Sequence, residues 1–149
     1  MTNSVLSFLL TSGPADQVEE WASLTDAQRS SFKSQYAAAG ISLMVSAFGS
    51  TDEPTTFGAD PVGTANTVAN FVKKYQLDGV DVDYEVRLGN LIHPVRKLKV
   101  LQDFAAMDAQ NGSAENWLIS FTQQLRNQLP AGQYIITHAR QYLRIMCRL

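Results

Sequence analysis

Three carboxylates, Asp81, Asp83 and Glu85, recur at every second position of the run Leu77-Asp78-Gly79-Val80-Asp81-Val82-Asp83-Tyr84-Glu85. Val80, Val82 and Tyr84 fill the places between them. Side chains of a β-strand point alternately to opposite faces, so the run reads as a strand with one apolar and one acidic face. Along the acidic face the carboxylates stand about 6.5–7 Å apart. Like charges at that spacing do not all ionise freely: at least one pKa is expected to rise, with a proton shared along the ladder. A strand that needed only solubility would mix Thr, Lys and Glu there. The ladder points to acid–base chemistry, with Glu85 at the rim where the strand ends. Two other readings stay open, a metal site and a plain solvated face. Hard cations take clustered carboxylates, but no Gly follows the third acid and Val interleaves, which is the wrong order for a calcium loop.

The ladder needs a sheet to hold it. Val5–Leu10 is a short apolar run ending at the loop signal Thr11-Ser12-Gly13-Pro14, and it suits a buried parallel strand, apolar on both faces. Val18, Trp21 and Ala22 share one side of a helix over Asp16–Leu24. Thr25-Asp26-Ala27-Gln28 reads as a capping box opening a helix over Asp26–Ala39, with Gly40 ending it. Ile41–Phe48 is a second apolar strand, followed by a loop over Gly49–Gly58. Asp60-Pro61 is an N-cap followed by Pro at the first helical position. The helix it opens carries Val62, Ala65, Val68, Ala69, Val72 and Tyr75, spaced for one buried face. After the acid strand, Trp117, Leu118, Phe121 and Leu125 make Glu115–Leu129 amphipathic, and Pro130-Ala131-Gly132 turns the chain into a fourth strand, Tyr134–His138. Strands and helices alternating over short connections argue for right-handed βαβ units and a parallel sheet, whose function sits at the carboxyl ends of its strands.

Composition narrows the partners. The chain has 149 residues and a formal net charge of −2, enough for one domain with a core and no basic field for nucleic acid. No apolar run approaches the length of a membrane span. Val5-Leu6-Ser7-Phe8-Leu9-Leu10 follows no Lys or Arg, so a strand is favoured over a signal peptide. Cys147 is the sole cysteine and reads as an incidental free thiol. Trp21, Trp117 and the Phe residues read as core rather than sugar-stacking platforms. His93 lacks a convincing partner, while His138, ending a strand, is a candidate for the site rim. No metal ligand set or cofactor motif is assigned.

Residues 78–85, Asp-Gly-Val-Asp-Val-Asp-Tyr-Glu, resemble the D-G-x-D-x-D-x-E signature of glycoside hydrolase family 18, the chitinases and endo-β-N-acetylglucosaminidases. Ser46-Ala47-Phe48-Gly49 is loosely similar to the family's S-x-G-G element, with Phe48 where a Gly is usual. The flanks at residues 8–14, 45–51 and 111–117 look like secreted fungal members, and the resemblance covers residues 4–85 and 103–139. It implies an eight-stranded (β/α) barrel that cleaves β-1,4 bonds next to N-acetylglucosamine, in chitin, chitooligosaccharides or N-glycan cores, by substrate-assisted retaining catalysis. Glu85 would be the general acid and base, Asp83 would orient the substrate's N-acetyl group, Asp81 would tune Asp83, Ser46 would hydrogen-bond the ladder, and Tyr84 would support the substrate. The family's usual secretion leaves localisation open here.

The chain departs from that pattern in three places. Four strands can be placed where a closed barrel needs eight, so the fold expected is α/β, a partial TIM (β/α)8 barrel of about four parallel strands. The later strands that carry the family's supporting Tyr and its Trp floor are not represented. Residues 86–102 form an atypical insertion whose charged residues, Arg87, Arg96, Lys97 and Lys99, are all basic. Every Val codon begins GT and CAG encodes Gln, so a segment from Val86 to Gln102 reads either as a short intron kept in frame or as a loop insertion on the catalytic face. Residues 140–149 form an atypical tail with Tyr142, Ile145, Met146 and Leu149 on one helical face. Exposed sheet edges would drive self-association. Beside the enzyme stands an alternative, a truncated non-catalytic fragment or a sugar-binding relic.

Overall fold

In the computed structural model, which describes residues 2–85 and 111–139, the chain runs β1 (Thr2–Leu10), β2 (Gly13–Pro14), α1 (Asp16–Ser23), α2 (Asp26–Ala38), β3 (Ile41–Phe48), α3 (Pro61–Lys74), β4 (Gly79–Asp83), α4 (Ser113–Gln128) and β5 (Ile135–His138). The expected insertion at 86–102, the tail at 140–149, His93 and Cys147 lie outside the described residues. The strands form one sheet in the order β2-β1-β3-β4-β5. β1, β3, β4 and β5 are mutually parallel, as the βαβ alternation requires, and β2 adds a short antiparallel edge to β1. Among the described residues the fold is α/β, an unclosed stretch of (β/α)-barrel wall. The loop expected at Thr11–Pro14 is a tight return that pairs Gly13 and Pro14 with Leu10 and Leu9.

Helix boundaries follow their local chemistry. Thr25 and Gln28 complete the capping box at the start of α2. The Asp60 carboxylate accepts from Gly63 N at 2.5 Å, capping α3 one residue before Pro61. The core lies between the helices and one face of the sheet. Val45 and Ala47 of β3 meet Val80 and Val82 of β4 there, under Val18 and Trp21 of α1, Val68 and Val72 of α3, and Trp117 and Phe121 of α4. Burying each such side chain contributes about 1.5–3 kcal/mol, which makes this face the principal source of stability. Gln124 of α4 donates to Asn66 of α3 at 2.7 Å across the helix layer.

β1 departs from the expectation that it is apolar on both faces. Leu6 pairs with Val45 and Leu9 with Ala47, so a register irregularity sets three residues of β1 against two of β3. That extra residue brings Leu6 and Leu9, which alternation alone would part, to the same helix-covered face. Val5 points the other way and is 40% exposed. On β1 it is the helix-covered face that takes Leu6 and Leu9.

β4 is pinned at its first turn. The Asp78 carboxylate accepts from Leu43 N at 2.7 Å and forms an ion pair with Lys33. Asp78 N donates to Leu43 O at 2.8 Å, and Ile135 N donates to Asp78 O at 2.9 Å, so Asp78 ties β4 to both neighbours. Gly79 follows because no side chain fits: a Cβ there would lie 2.0 Å from Ile135 O. Gly79→Ala must push β4 and β5 apart, and we expect a loss of about 3 kcal/mol, roughly 10 °C in Tm for a chain of this size. A thermal melt within a degree or two of the parent would contradict the close approach.

Candidate active site

The pinned start of β4 sets the register of the residues beyond it. Asp81 pairs with Ser46 of β3 on one side and with Thr137 of β5 on the other. These three residues share the face turned away from the helices. Asp81, Asp83 and Glu85 are all half-buried. β4 itself stops at Asp83, so Glu85 lies two residues past the strand rather than at its last position. There the backbone leaves the sheet after one tie: Gly49 N donates to Asp83 O at 2.9 Å.

Thr137 donates from its hydroxyl to Asp81 Oδ1 in a short hydrogen bond. Sequence reasoning missed this residue. Its only sequence signal is a hydroxyl between two Ile and a His in a strand, and the pairing that places it opposite Asp81 is a matter of register. Ser46 is where the alternation puts it, 4% exposed and beside Asp81. Among the described residues, the hydroxyl bonded to Asp81 is that of Thr137.

The carboxyl of Asp83 is held above its ordinary value of 3.8, chiefly by burial and then by the neighbouring charges of Glu85 and Asp81. This is the raised group that the ladder demanded, and it is the middle acid, with a like charge on either side. His138 pairs with Val82 and so lies on the helix side, where its Nε2 is 3.5 Å from Thr122 Oγ1 of α4. Burial lowers its pKa, and the charge of Asp81 partly offsets that. His138 therefore borders the ladder through the sheet rather than standing on its face. Among the described residues no three His, Cys, Asp or Glu side chains converge to hold a metal ion, because the acids project in a row. Nor is any described helix long and apolar enough to cross a membrane.

Tyr84, expected to support the substrate, lies on the other side of the strand from the acids. Alternation turns it to the helix side, where it is 5% exposed and its ring stacks on Trp117 at 5.6 Å. Its hydroxyl is hydrogen-bonded to Thr55 Oγ1, in the loop that follows β3. What Tyr84 holds is that loop. The same loop is fastened by Asp52, a buried carboxylate that accepts from Thr11 N at 2.5 Å and Thr11 Oγ1 at 2.7 Å, and by Trp117 Nε1, which donates to Ala59 O at 2.6 Å. Phe57, in the loop, is 60% exposed and outside the core expected of the phenylalanines. A cavity of about 260 Å³ behind the loop is lined by Leu9, Thr11, Phe48, Asp60 and Thr64, and none of the three acids reaches it.

Phe48 has the least ordinary backbone in this region. Its φ of 80° lies in the left-handed region that favours glycine. In register it pairs with Asp83, yet its ring packs on the helix side, 5.3 Å from Phe121, 5.7 Å from Trp117 and 6.2 Å from Tyr84. The left-handed turn carries the side chain off the acid face and into the core. Strain of order 1 kcal/mol is offset by burying a whole aromatic ring.

A parallel α/β sheet with an acid row at the carboxyl end of one strand defines a barrel-wall site of the rim-facing kind. A crystal structure of a GH18 chitinase from Pseudoalteromonas aurantia matches this architecture with a TM-score of 0.60 and 29% sequence identity, over 91% of this chain and 47% of that one. The chain thus spans about half the length of the structure it matches, and its fold is glycoside-hydrolase-like. No family model matches the sequence, and neither does any curated protein.

The raised Asp83 carboxyl gives a pH prediction with a definite sign. A folded-state value above 3.8 means the native chain binds this proton more tightly than the unfolded chain. Stability from this group is therefore greatest below 3.8 and is lost as pH rises from there through the folded value. Asp83→Asn should melt progressively higher than the parent as pH is raised through that window, with the gap smallest at the acid end. Comparing the two proteins at each pH cancels the contribution of His138. A gap that stays constant with pH would show that Asp83 titrates alike in both states.

Proposed function

We propose that the chain carries the catalytic strand of an N-acetylglucosamine-directed glycoside hydrolase of the family 18 type, cleaving β-1,4 bonds in chitin, chitooligosaccharides or N-glycan cores. The observation that carries the reading is the acid ladder itself: D-G-x-D-x-D-x-E at the end of a parallel strand, in a fold similar to a GH18 chitinase. Kinship with the secreted fungal members rests on the three sequence flanks alone. In this reading the carbonyl oxygen of the substrate's own N-acetyl group attacks the anomeric carbon. The bond to the leaving sugar breaks as Glu85 gives its proton to the glycosidic oxygen. Water then opens the cyclic oxazolinium with retention, returning a proton to Glu85. Asp83 accepts from the acetamide N–H and holds that group in line for attack, while Asp81 sets the charge that Asp83 feels. Such substrate assistance replaces the enzyme nucleophile of ordinary retaining enzymes. Ser46 lines the acid face beside Asp81, and the Tyr84–Thr55 bond holds the neighbouring rim loop.

A second reading is favoured by one observation, the unclosed sheet. Among the described residues β5 pairs on one side alone, and an uncovered parallel edge invites pairing with another chain. In that case the chain is a non-catalytic fragment or sugar-binding relic that self-associates. Hydrolysis of a fluorogenic chitobioside by the purified chain, beside its Glu85→Gln variant, separates the two. The enzyme reading expects turnover that falls by a factor of about 100 or more when the general acid is removed. Equal rates in the two proteins, or none in either while both stay folded and soluble, would sink it in favour of the relic.

A further inference from the structure

Asp81 is bracketed by two strands that each offer it a hydroxyl residue. From β3 comes Ser46 and from β5 comes Thr137, both in register with it, and Thr137 makes the hydrogen bond to Asp81 Oδ1. We propose that Thr137 is a positioning residue of the acid ladder: its hydroxyl, held by β5 opposite Asp81, fixes the orientation of that carboxylate, so that in the substrate-free chain the ladder's exchangeable proton rests on Asp83. The inference rests on the proposed glycosidase reading for its relevance to catalysis, and on the hydrogen bond alone for its physics.

A donated hydrogen bond favours the charged form of a carboxylate. Asp83 accepts no such bond among the described residues and sits between Asp81 and Glu85. Two coupled acids whose surroundings differ by one strong donor do not share a proton evenly: it rests on the acid without the donor. The upward shift of Asp83, to which the charge of Asp81 contributes, agrees with that placement. The other groups facing Asp81 do not reverse it. β3 presents Ser46, which does not titrate in this range. β5 presents His138 on the opposite face, where burial opposes its protonation. Thr137 itself is held by β5, which Gly79 lets approach closely and which Ile135 N fastens to Asp78 O. The donor's position is thus built into the sheet and does not depend on a flexible side chain.

The test is a titration of the aspartate carboxyl carbons of the full chain by NMR, between about pH 3 and pH 8, in the parent and in Thr137→Val, an isosteric loss of the hydroxyl. The parent should show Asp83 following the upper step alone. In Thr137→Val the upper step should no longer be followed by Asp83 alone. Thr137→Ser, which restores a hydroxyl, should return the parent pattern. Circular dichroism checks the fold, and Thr137→Ala serves if the valine variant does not fold. Asp83 alone following the upper step in a folded hydroxyl-less variant would overturn the proposal. The readout needs no turnover. Failure of chitobioside hydrolysis therefore leaves it standing, and Glu85-dependent hydrolysis beside an unmoved titration would sink only the role of Thr137.

Discussion

The close approach of β4 and β5 is the constraint on which the rest of the site depends. A parallel ladder sets strand separation by its hydrogen bonds, and here one turn does most of the fastening. Asp78 spends its side chain on Leu43 N, its N–H on Leu43 O and its carbonyl on Ile135 N, so three strands are fixed relative to one residue. Gly79 then removes the only group that would hold them apart. The first two residues of the D-G-x-D-x-D-x-E run are thus architectural, and the last three are the ones that can do chemistry. A motif usually read as one functional unit divides here into a fastener and a payload.

From that fastener the electrostatics follow. Register places Asp81 between Ser46 and Thr137, and alternation places Asp83 between two like charges at the point where β4 ends. The sheet thereby gives three acids of the same type three different surroundings: one bonded to a hydroxyl, one hemmed in by charge, and one beyond the strand. Environments that push apart the proton affinities of neighbouring carboxyls are what acid–base sites need. Here the differences come from strand pairing and strand length alone.

Much of this was legible in the sequence, for local reasons. Period-two alternation announced the acid face, the Thr25–Gln28 box and Asp60-Pro61 announced two helix starts, and the βαβ rhythm announced parallel strands. What stayed hidden depends on pairing between distant segments. Thr137 has no local mark, since its meaning lies in facing Asp81 across a strand boundary 56 residues away. The shift of register in β1 was hidden for the same reason: six residues of near-continuous apolar character do not say which face stays dry. Tyr84 is the instructive case. The alternation that revealed the acids also turns Tyr84 away from them, to the helix side, where its ring stacks on Trp117.

The left-handed backbone at Phe48 shapes how this position can vary. Two kinds of residue suit it, for unrelated reasons: glycine, which adopts φ of 80° freely, and a large aromatic, whose buried ring offsets the strain. Residues of middling size gain neither benefit. Glycine and phenylalanine codons differ at two bases, so exchange between them passes through valine or cysteine, and valine is among the residues least suited to this backbone. Position 48 therefore has two separate optima with a valley between them, and lineages on either side would be slow to cross.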